Sequence, residues 1–224
     1  MTPMPIVVLI SGSGSNLQAI MDACVSGKIN ARICAVISNK PGVYGLERAK
    51  EADIPTHCID HTLFPDRDAF ETKLSQCIDD YAPGLIVLAG FMRILGKAFI
   101  QRYQGRMLNI HPSLLPHFPG LNTHQRALDA KHRHHGCTVH FVTQELDGGP
   151  PVALSKLEVN PPETAESLAS RVLVLEHKLY PTVISLFAEK RLYMEDNIAI
   201  LDDEPLHAPI DITQIQTKKI SQHL

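Results

Sequence analysis

The sequence predicts one α/β domain, built on a mixed but mostly parallel β-sheet with helices on both faces. Short β-branched apolar runs alternate with segments of helical periodicity through the first half of the chain, and this alternation is typical of βαβ units. Farther on, the runs GCTVHFVT and PVALSKLEV are joined only by QELDGGP. Because no helix fits between these two runs, we expect them to form antiparallel strands.

Five strands and four helices are expected before residue 112. The strand sequences are PIVVLI, ARICAVIS, THCID, LIVLAG and RMLNI. LIVLAG is the most hydrophobic of them, which favours a central position that is buried on both faces. The helices are indicated by residues 17–24, which end before Gly27, by the segment GLERAKEAD, and by residues 66–81 and 94–103. In the first and third, apolar residues recur at helical spacing.

The second half ends in a long helix and a polar tail. Residues 164–190 predict one amphipathic helix. Residues 202–224 are polar and weakly periodic, so we expect a C-terminal tail that is partly disordered. No linker, repeat or low-complexity segment interrupts the remainder. The predicted organisation is therefore one domain, residues 1–201, followed by the tail.

Composition argues against several classes of protein. Apolar residues make up 44% and charged residues 20%, as in ordinary globular chains. The net charge of −3 gives no footprint for nucleic acid. No apolar run approaches the ~18 residues of a membrane span, and the first residues lack a secretion signal. The five scattered cysteines indicate buried free thiols in a reducing cytoplasm and no structural zinc.

The segment SGSGSN, between the first strand and its helix, predicts a site for a phosphate monoester on Gly14, Ser15 and Asn16. Glycine allows close approach of a ligand, and the free N–H groups at a helix N-terminus attract anions. A dinucleotide site is disfavoured because Leu17 replaces the third glycine of its fingerprint and the second strand ends in SNK, without an acidic residue. The alternative is a turn that only caps the helix.

Asn109 and His111 form the second candidate site. Residues two apart on a strand project to the same side, and here they lie at the carboxyl end of RMLNI, where parallel α/β folds bind ligands. Asn can donate an N–H to an oxyanion, and His can donate or accept a proton near neutral pH. The alternative is a strand end with a capping histidine.

Asp147, in ELDGGP, is a possible partner for this pair. A carboxylate near a histidine can orient the ring, favour its charged form or move a proton. The alternative is an ordinary Asp-Gly turn. No Gly-x-Ser-x-Gly motif and no activated cysteine is evident, so the combination predicts acyl-group chemistry without a covalent nucleophile.

Six segments, in order, resemble the phosphoribosylglycinamide formyltransferase family of folate-dependent enzymes. They are VLISGSGSNLQAI, SNK, LAGFMRIL, LNIHPSLLPHFPG, HGCTVHFV and ELDGGP. The resemblance runs from about residue 6 to residue 201. It implies a Rossmann-like formyltransferase fold and transfer of the formyl group of 10-formyltetrahydrofolate to glycinamide ribonucleotide in purine synthesis. The implied partners are small molecules, with no metal, and the oligomer is either a monomer or a homodimer.

The resemblance also implies roles for particular residues. Asn109, His111 and Asp147 correspond to the family's catalytic residues, and Asn109 also to a folate contact. Gly14, Ser15 and Asn16 correspond to the phosphate site, and Glu176 to a ribose contact. The implied folate-binding residues are Arg67, Met92, Arg93, Ile94 and Leu95. Alternatively, Met92, Ile94 and Leu95 are core residues, and Arg67 and Glu176 are solvated charges.

Some residues depart from the family or suggest other chemistry. Asn122 stands where relatives usually have histidine, and Leu173 stands where some have a polar residue. These put fine substrate contacts in doubt, not the reaction. The tract KHRHHG suggests a metal site, but we favour a polar loop because the family uses no metal. His140 is expected to lie near Asp147 and support it.

Three other functions would use some of the same features. A formyltetrahydrofolate hydrolase usually carries an additional N-terminal regulatory domain, and a methionyl-tRNA formyltransferase adds a C-terminal domain with a basic surface. We expect neither here, given the early first strand, the short tail and the acidic net charge. A non-catalytic nucleotide-binding module would not need chemically active residues at positions 109, 111 and 147.

Overall fold

The computed structural model describes residues 2–212, in which the predicted mixed sheet is present. Its strands are β1 Met4–Ile10, β2 Ala31–Ser38, β3 Thr56–Cys58, β4 Leu85–Leu88, β5 Met107–His111, β6 His134–Phe141, β7 Pro151–Glu158, β8 Leu192–Glu195, β9 Ile198–Leu201, β10 Glu204–Pro205 and β11 Ile210–Asp211. The main sheet has eight strands in the order β11-β7-β6-β5-β4-β1-β2-β3, and a small sheet has the order β10-β9-β8.

The pairing confirms the prediction of a mostly parallel sheet with an antiparallel part. Strands β1 to β5 pair in parallel, whereas β5 with β6 and β6 with β7 are antiparallel. All four residues of β4 are buried, and β4 lies in the interior of the sheet between β1 and β5. This burial explains why LIVLAG is so hydrophobic.

Helices cover both faces of the sheet, as predicted. They are α1 Ser15–Val25, α2 Tyr44–Glu51, α3 Arg67–Asp79, α4 Lys97–Arg102, α5 Thr123–Asp129 and α6 Ala165–Ala188. Alternate residues of β1 point to opposite faces of the sheet. Val8 belongs to the core cluster under α1 and α6, and Leu9 belongs to the core cluster under α3 and α4. The period of two along a strand thus builds two core layers.

Helix α6 is tied to the sheet at the strand ends that form the site. The fully buried Tyr180 hydroxyl lies 3.0 Å from the Leu88 carbonyl oxygen and 2.8 Å from that of Leu108. These carbonyls belong to β4 and β5. The helix therefore holds the residue that precedes Asn109.

The predicted fourth helix is shorter in the structure. Gly96 has an extended backbone and its N–H donates to the buried Glu71 carboxylate at 2.6 Å. Residues 94–96 are therefore held as a loop across α3. The helix begins only at Lys97.

Helix α5 and the small sheet were not predicted. Only Thr123 and Ala127 of α5 are buried, so it shows little apolar periodicity. Hairpin β8–β9 turns at Asp196 and Asn197, both with positive φ. Asp and Asn tolerate this backbone conformation in a tight turn.

Strands β10 and β11 lie within the predicted tail, and β11 joins the main sheet beside β7. The division at residue 201 remains a prediction, and the tail beyond residue 212 lies outside the described residues.

Two bulk predictions can be compared with the structure. All five cysteines are free, but Cys24 is only partly buried, and Cys58 is exposed at the end of the edge strand β3. The prediction that all are buried was therefore wrong for these two residues. Within residues 2–212, no helix is both long and apolar enough to cross a membrane.

Candidate active site

The loop after β1 is shaped by two glycines in contact. Gly14 has φ +71° and precedes α1 as its N-terminal cap residue. A Cβ on Gly14 would lie 2.7 Å from the Gly45 Cα, and the Gly45 N–H donates to the Gly12 carbonyl at 3.1 Å. Helix α1 begins without a side-chain cap or an acidic residue in its first turn. Its first N–H groups are therefore available to an anion.

Asn16 and Glu176, both predicted to contact one substrate, are brought together. The Asn16 amide donates to Glu176 Oε2 at 2.6 Å, and both residues are buried. Burial raises the pKa of the Glu176 carboxyl, and the hydrogen bond from Asn16 opposes that rise. The Glu176 carboxylate is thereby held beside the start of α1 rather than on the surface.

Asn109, His111 and Asp147 also converge. His111 Nδ1 lies 3.3 Å from Asp147 Oδ2, and both side chains are largely buried. Asp147 has φ +52°, and its Oδ2 accepts the Gly120 N–H at 2.8 Å. The backbone of the Asp-Gly-Gly loop therefore turns the carboxylate inward, toward the end of β5.

The two ring nitrogens of His111 both face oxygen. Nε2 lies 2.9 Å from the Phe118 carbonyl oxygen, and Nδ1 faces the Asp147 carboxylate. A carbonyl can only accept, so Nε2 carries a hydrogen. Nδ1 then satisfies Asp147 only when it is protonated as well. The ring of His111 is therefore held between a backbone carbonyl and a carboxylate.

A cavity of about 120 Å³ opens beside these residues. It is lined by Arg93, Ile94 and Leu95, by Asn109, and by residues 142–147. The Nε atom of Arg93 is buried and has no hydrogen-bond partner within residues 2–212. Such an atom requires a partner, and a polar ligand in the cavity would provide one.

Two predicted folate residues lie outside the lining of this cavity. Met92 is 62% exposed, and its backbone N–H donates to the Ser11 hydroxyl at 2.7 Å. Arg67 is the first residue of α3, on the outer surface, near Glu71. The structure therefore groups four of the six implied folate residues around the cavity.

The structure adds polar residues that the sequence did not indicate. Ser11 donates to Asn39 Oδ1 at 2.5 Å and so links the ends of β1 and β2. Arg48 of α2 donates through Nε to the Ser13 carbonyl at 2.9 Å. His177 Nε2 is buried without a partner in the described chain, and the residue lines a groove with Ser15 and Arg48. Ser11 belongs to SGSGSN and Asn39 to SNK, but the contacts that these residues make are visible only in the tertiary structure.

The structure also locates Asn122, which departs from the family pattern, and the histidines of KHRHHG. Asn122 caps α5 with φ +57°, a backbone conformation that asparagine tolerates better than most residues. The buried His135 lies 3.1 Å, at Nε2, from His124 Nδ1. Within the described part of the chain, no three His, Cys, Asp or Glu side chains are grouped to hold a metal ion.

His135 should make stability depend on pH. Burial, followed by the neighbouring His124, lowers its pKa from 6.5 to about 4. As pH falls from 6.5 to about 4, the unfolded chain gains a proton that folded His135 does not, so this contribution to stability is lost in that window. Between pH 6.5 and about pH 4, we expect the free energy of unfolding of a His135→Asn variant to fall less than that of the parent. Denaturant titration at each pH measures this quantity. Exposed His207→Asn should follow the parent, and parallel curves for His135→Asn would contradict the prediction.

These features define the class of protein. The structure has a glycine-rich loop before the uncapped N-terminus of α1, and a carboxylate–imidazole pair near an amide at the end of β5. Such groups can serve acyl-type transfer between two bound substrates. The chain belongs to the formyl transferase family, which it matches over residues 4–184.

Individual relatives and a solved structure are also similar to this chain. The chain is 53% identical to the phosphoribosylglycinamide formyltransferase of Escherichia coli (strain K12) over 203 residues, covering 91% of this chain and 96% of that protein. It is 42% identical to the Homo sapiens trifunctional purine biosynthetic protein adenosine-3 over 86% of this chain and 19% of that protein. The Coxiella burnetii phosphoribosylglycinamide formyltransferase structure aligns with a TM-score of 0.90 and 54% identity, covering 93% of this chain and 99% of that one.

Proposed function

We propose that this chain transfers the formyl group of 10-formyltetrahydrofolate to the primary amine of glycinamide ribonucleotide, a step of purine biosynthesis. The observation that carries the proposal is the convergence of Asn109, His111 and Asp147 beside the cavity lined by Arg93, Ile94 and Leu95, in a chain that matches phosphoribosylglycinamide formyltransferases over nearly its whole length. The partners are then small molecules. A cytoplasmic location stays a prediction from composition.

Two binding regions flank the proposed catalytic residues. The first turn of α1, at Gly14, Ser15 and Asn16, supplies N–H groups for the phosphate. Glu176, held by Asn16, lies where it can accept hydrogen bonds from ribose hydroxyls. The cavity lined by Arg93, Ile94 and Leu95 takes part of the folate. Met92 and Arg67 would contact its more exposed part.

The chemical step follows from the groups between these regions. The substrate amine adds to the formyl carbon, and the carbonyl oxygen becomes an oxyanion. An N–H of Asn109 and the protonated His111 stabilise that oxyanion. Asp147, whose carboxylate faces His111 Nδ1, helps move a proton from the attacking amine to folate N10, whose bond to the formyl carbon then breaks. The scheme uses 10-formyltetrahydrofolate as co-substrate and no metal.

The direct test is an assay with purified protein. Formylated glycinamide ribonucleotide should form from 10-formyltetrahydrofolate at a rate that depends on both substrates. Water and tRNA are the competing acceptors, and their products are formate and formylated tRNA. Release of formate at the same rate with and without glycinamide ribonucleotide would indicate a hydrolase and contradict the proposal.

The phosphate loop gives a separate prediction. A Cβ at Gly14 would push against Gly45 and move the loop, so we expect Gly14→Ala to raise the KM for glycinamide ribonucleotide about tenfold or more, equivalent to about 1.4 kcal/mol of binding. Gly27→Ala is the matched control, because Gly27 also has positive φ, at +73°, but a Cβ there would meet nothing within 4 Å. Both variants carry a similar backbone strain. An equal effect of both on KM would count against a phosphate site at Gly14.

A further inference from the structure

His140 occupies an unusual position in the sheet. It is buried on β6 and pairs with Asn109 of β5 across the antiparallel ladder. The register between β6 and β7 shifts between Val139 and His140. Such bulges re-aim a side chain and are common beside active sites. Here the imidazole reaches between Asn109 and Asp147.

Three contacts define the surroundings of the His140 ring. Nδ1 lies 2.9 Å from the Phe141 carbonyl oxygen. Nε2 lies 3.1 Å from Asn109 Nδ2 and 3.8 Å from Asp147 Oδ1. The titratable neighbours that affect the ring are Asp147 and His111.

The contact with Phe141 fixes the position of the proton. A backbone carbonyl only accepts, so Nδ1 carries the hydrogen. Burial lowers the pKa of His140, and His111 lowers it further, against the effects of the Phe141 carbonyl and Asp147. A neutral ring protonated at Nδ1 has a bare Nε2, which can only accept. Since amide oxygen and nitrogen are hard to distinguish by shape, this bare nitrogen decides which end of the Asn109 amide faces it.

We propose that His140 is a positioning residue for formyl transfer: its bare Nε2 accepts one N–H of Asn109 and thereby fixes the amide with its nitrogen toward the reaction centre. The second N–H of Asn109 has no partner within residues 2–212, and Asn109 lines the folate cavity. That second N–H is then the donor to the oxyanion. This role rests on the proposed function, whereas the state of the His140 ring does not.

The state of the ring can be measured on the wild-type protein. In protein labelled with ¹⁵N-histidine, the signals missing from a His140→Asn sample identify His140. We expect a neutral ring protonated at Nδ1 from about pH 6 to about pH 8, a range that includes the ordinary histidine pKa. A ring protonated at Nε2, or charged throughout this range, would overturn the proposal even if the enzyme transfers formyl groups normally.

Two amide substitutions separate positioning from packing. In His140→Gln, the side-chain oxygen can occupy the place of Nε2 and accept from Asn109. In His140→Asn, the amide can replace only Nδ1. We expect His140→Gln to stay within about fivefold of the parent kcat and His140→Asn to lose about tenfold or more, a loss of the size expected for a disordered oxyanion donor, with KM values little changed. Equal losses in both variants would indicate a packing role and overturn the proposal.

A double-mutant cycle tests whether His140 acts through Asn109. If it does, His140→Asn should cost less than about twofold in kcat once Asn109 is already Ala, because coupled residues are not additive. Additive losses would overturn the proposal. Wild-type protein that transfers no formyl group to glycinamide ribonucleotide would instead contradict the proposed function, and the ¹⁵N measurement would still decide the state of the ring.

Discussion

Replacing Asp147 with Asn is expected to lower kcat roughly 10²- to 10⁴-fold, the range for loss of a general acid–base group. Asn still offers an oxygen to the Gly120 N–H, which now donates to Asp147 Oδ2 at 2.8 Å. It removes the negative charge that faces His111 Nδ1 at 3.3 Å. His111 then no longer faces a negative charge, and proton transfer slows. The measurement is steady-state kinetics with both substrates, together with the thermal unfolding midpoint.

The matched control for this variant is Asp129→Asn, on the exposed face of α5. It makes the same chemical change away from the proposed site, so kcat should stay within about twofold. An Asp147→Asn variant that folds and keeps a kcat within about threefold of the parent would rule out a proton-transfer role for this carboxylate.

Replacing Asn109 with Ala is expected to reduce kcat about 10²- to 10³-fold, the usual result of removing one oxyanion donor. The side chain lies at the end of β5 and its amide contacts His140 at 3.1 Å. Truncation removes the donor and leaves the strand pairing intact. Since the donor acts in the transition state, both KM values should change much less than kcat.

The exposed Asn30, which lies between α1 and β2, provides the control for this change. Asn30→Ala should leave kcat and both KM values unchanged. If Asn109→Ala raised KM for the folate and left kcat as it was, Asn109 would be a binding residue and the oxyanion would need another donor.

Much of the fold could be predicted because its strands are buried on both faces. A central strand such as β4 must then be continuously apolar, and LIVL shows this directly. Helix α5 and the strands β8 to β10 could not be predicted in the same way. They are short and partly exposed, so neither a helical nor a strand period is visible in their sequences.

The candidate site was predictable where neighbouring residues carry the geometry. Asn109 and His111 share one side of a strand end, which a period of two reveals. The inward turn of Asp147 depends on a positive φ, which the residue pattern alone does not establish. The Phe118 carbonyl, the bulge at His140 and the buried nitrogen of His177 involve backbone atoms or tertiary contacts. A residue pattern cannot contain these features.

Helix α6 contacts both the start of α1 and the end of β5 through residues about one turn apart. Glu176 is hydrogen-bonded to Asn16 at the start of α1. Four residues later, Tyr180 is hydrogen-bonded to the carbonyl of Leu108, the residue before Asn109. Four residues of an α-helix span about 6 Å and hardly stretch. The distance between the proposed phosphate site and the proposed oxyanion donor is therefore set by a rigid element. This makes substrate length a criterion of selection: an analogue longer by one methylene could bind by its phosphate and still present its amine about 1 Å from the productive position.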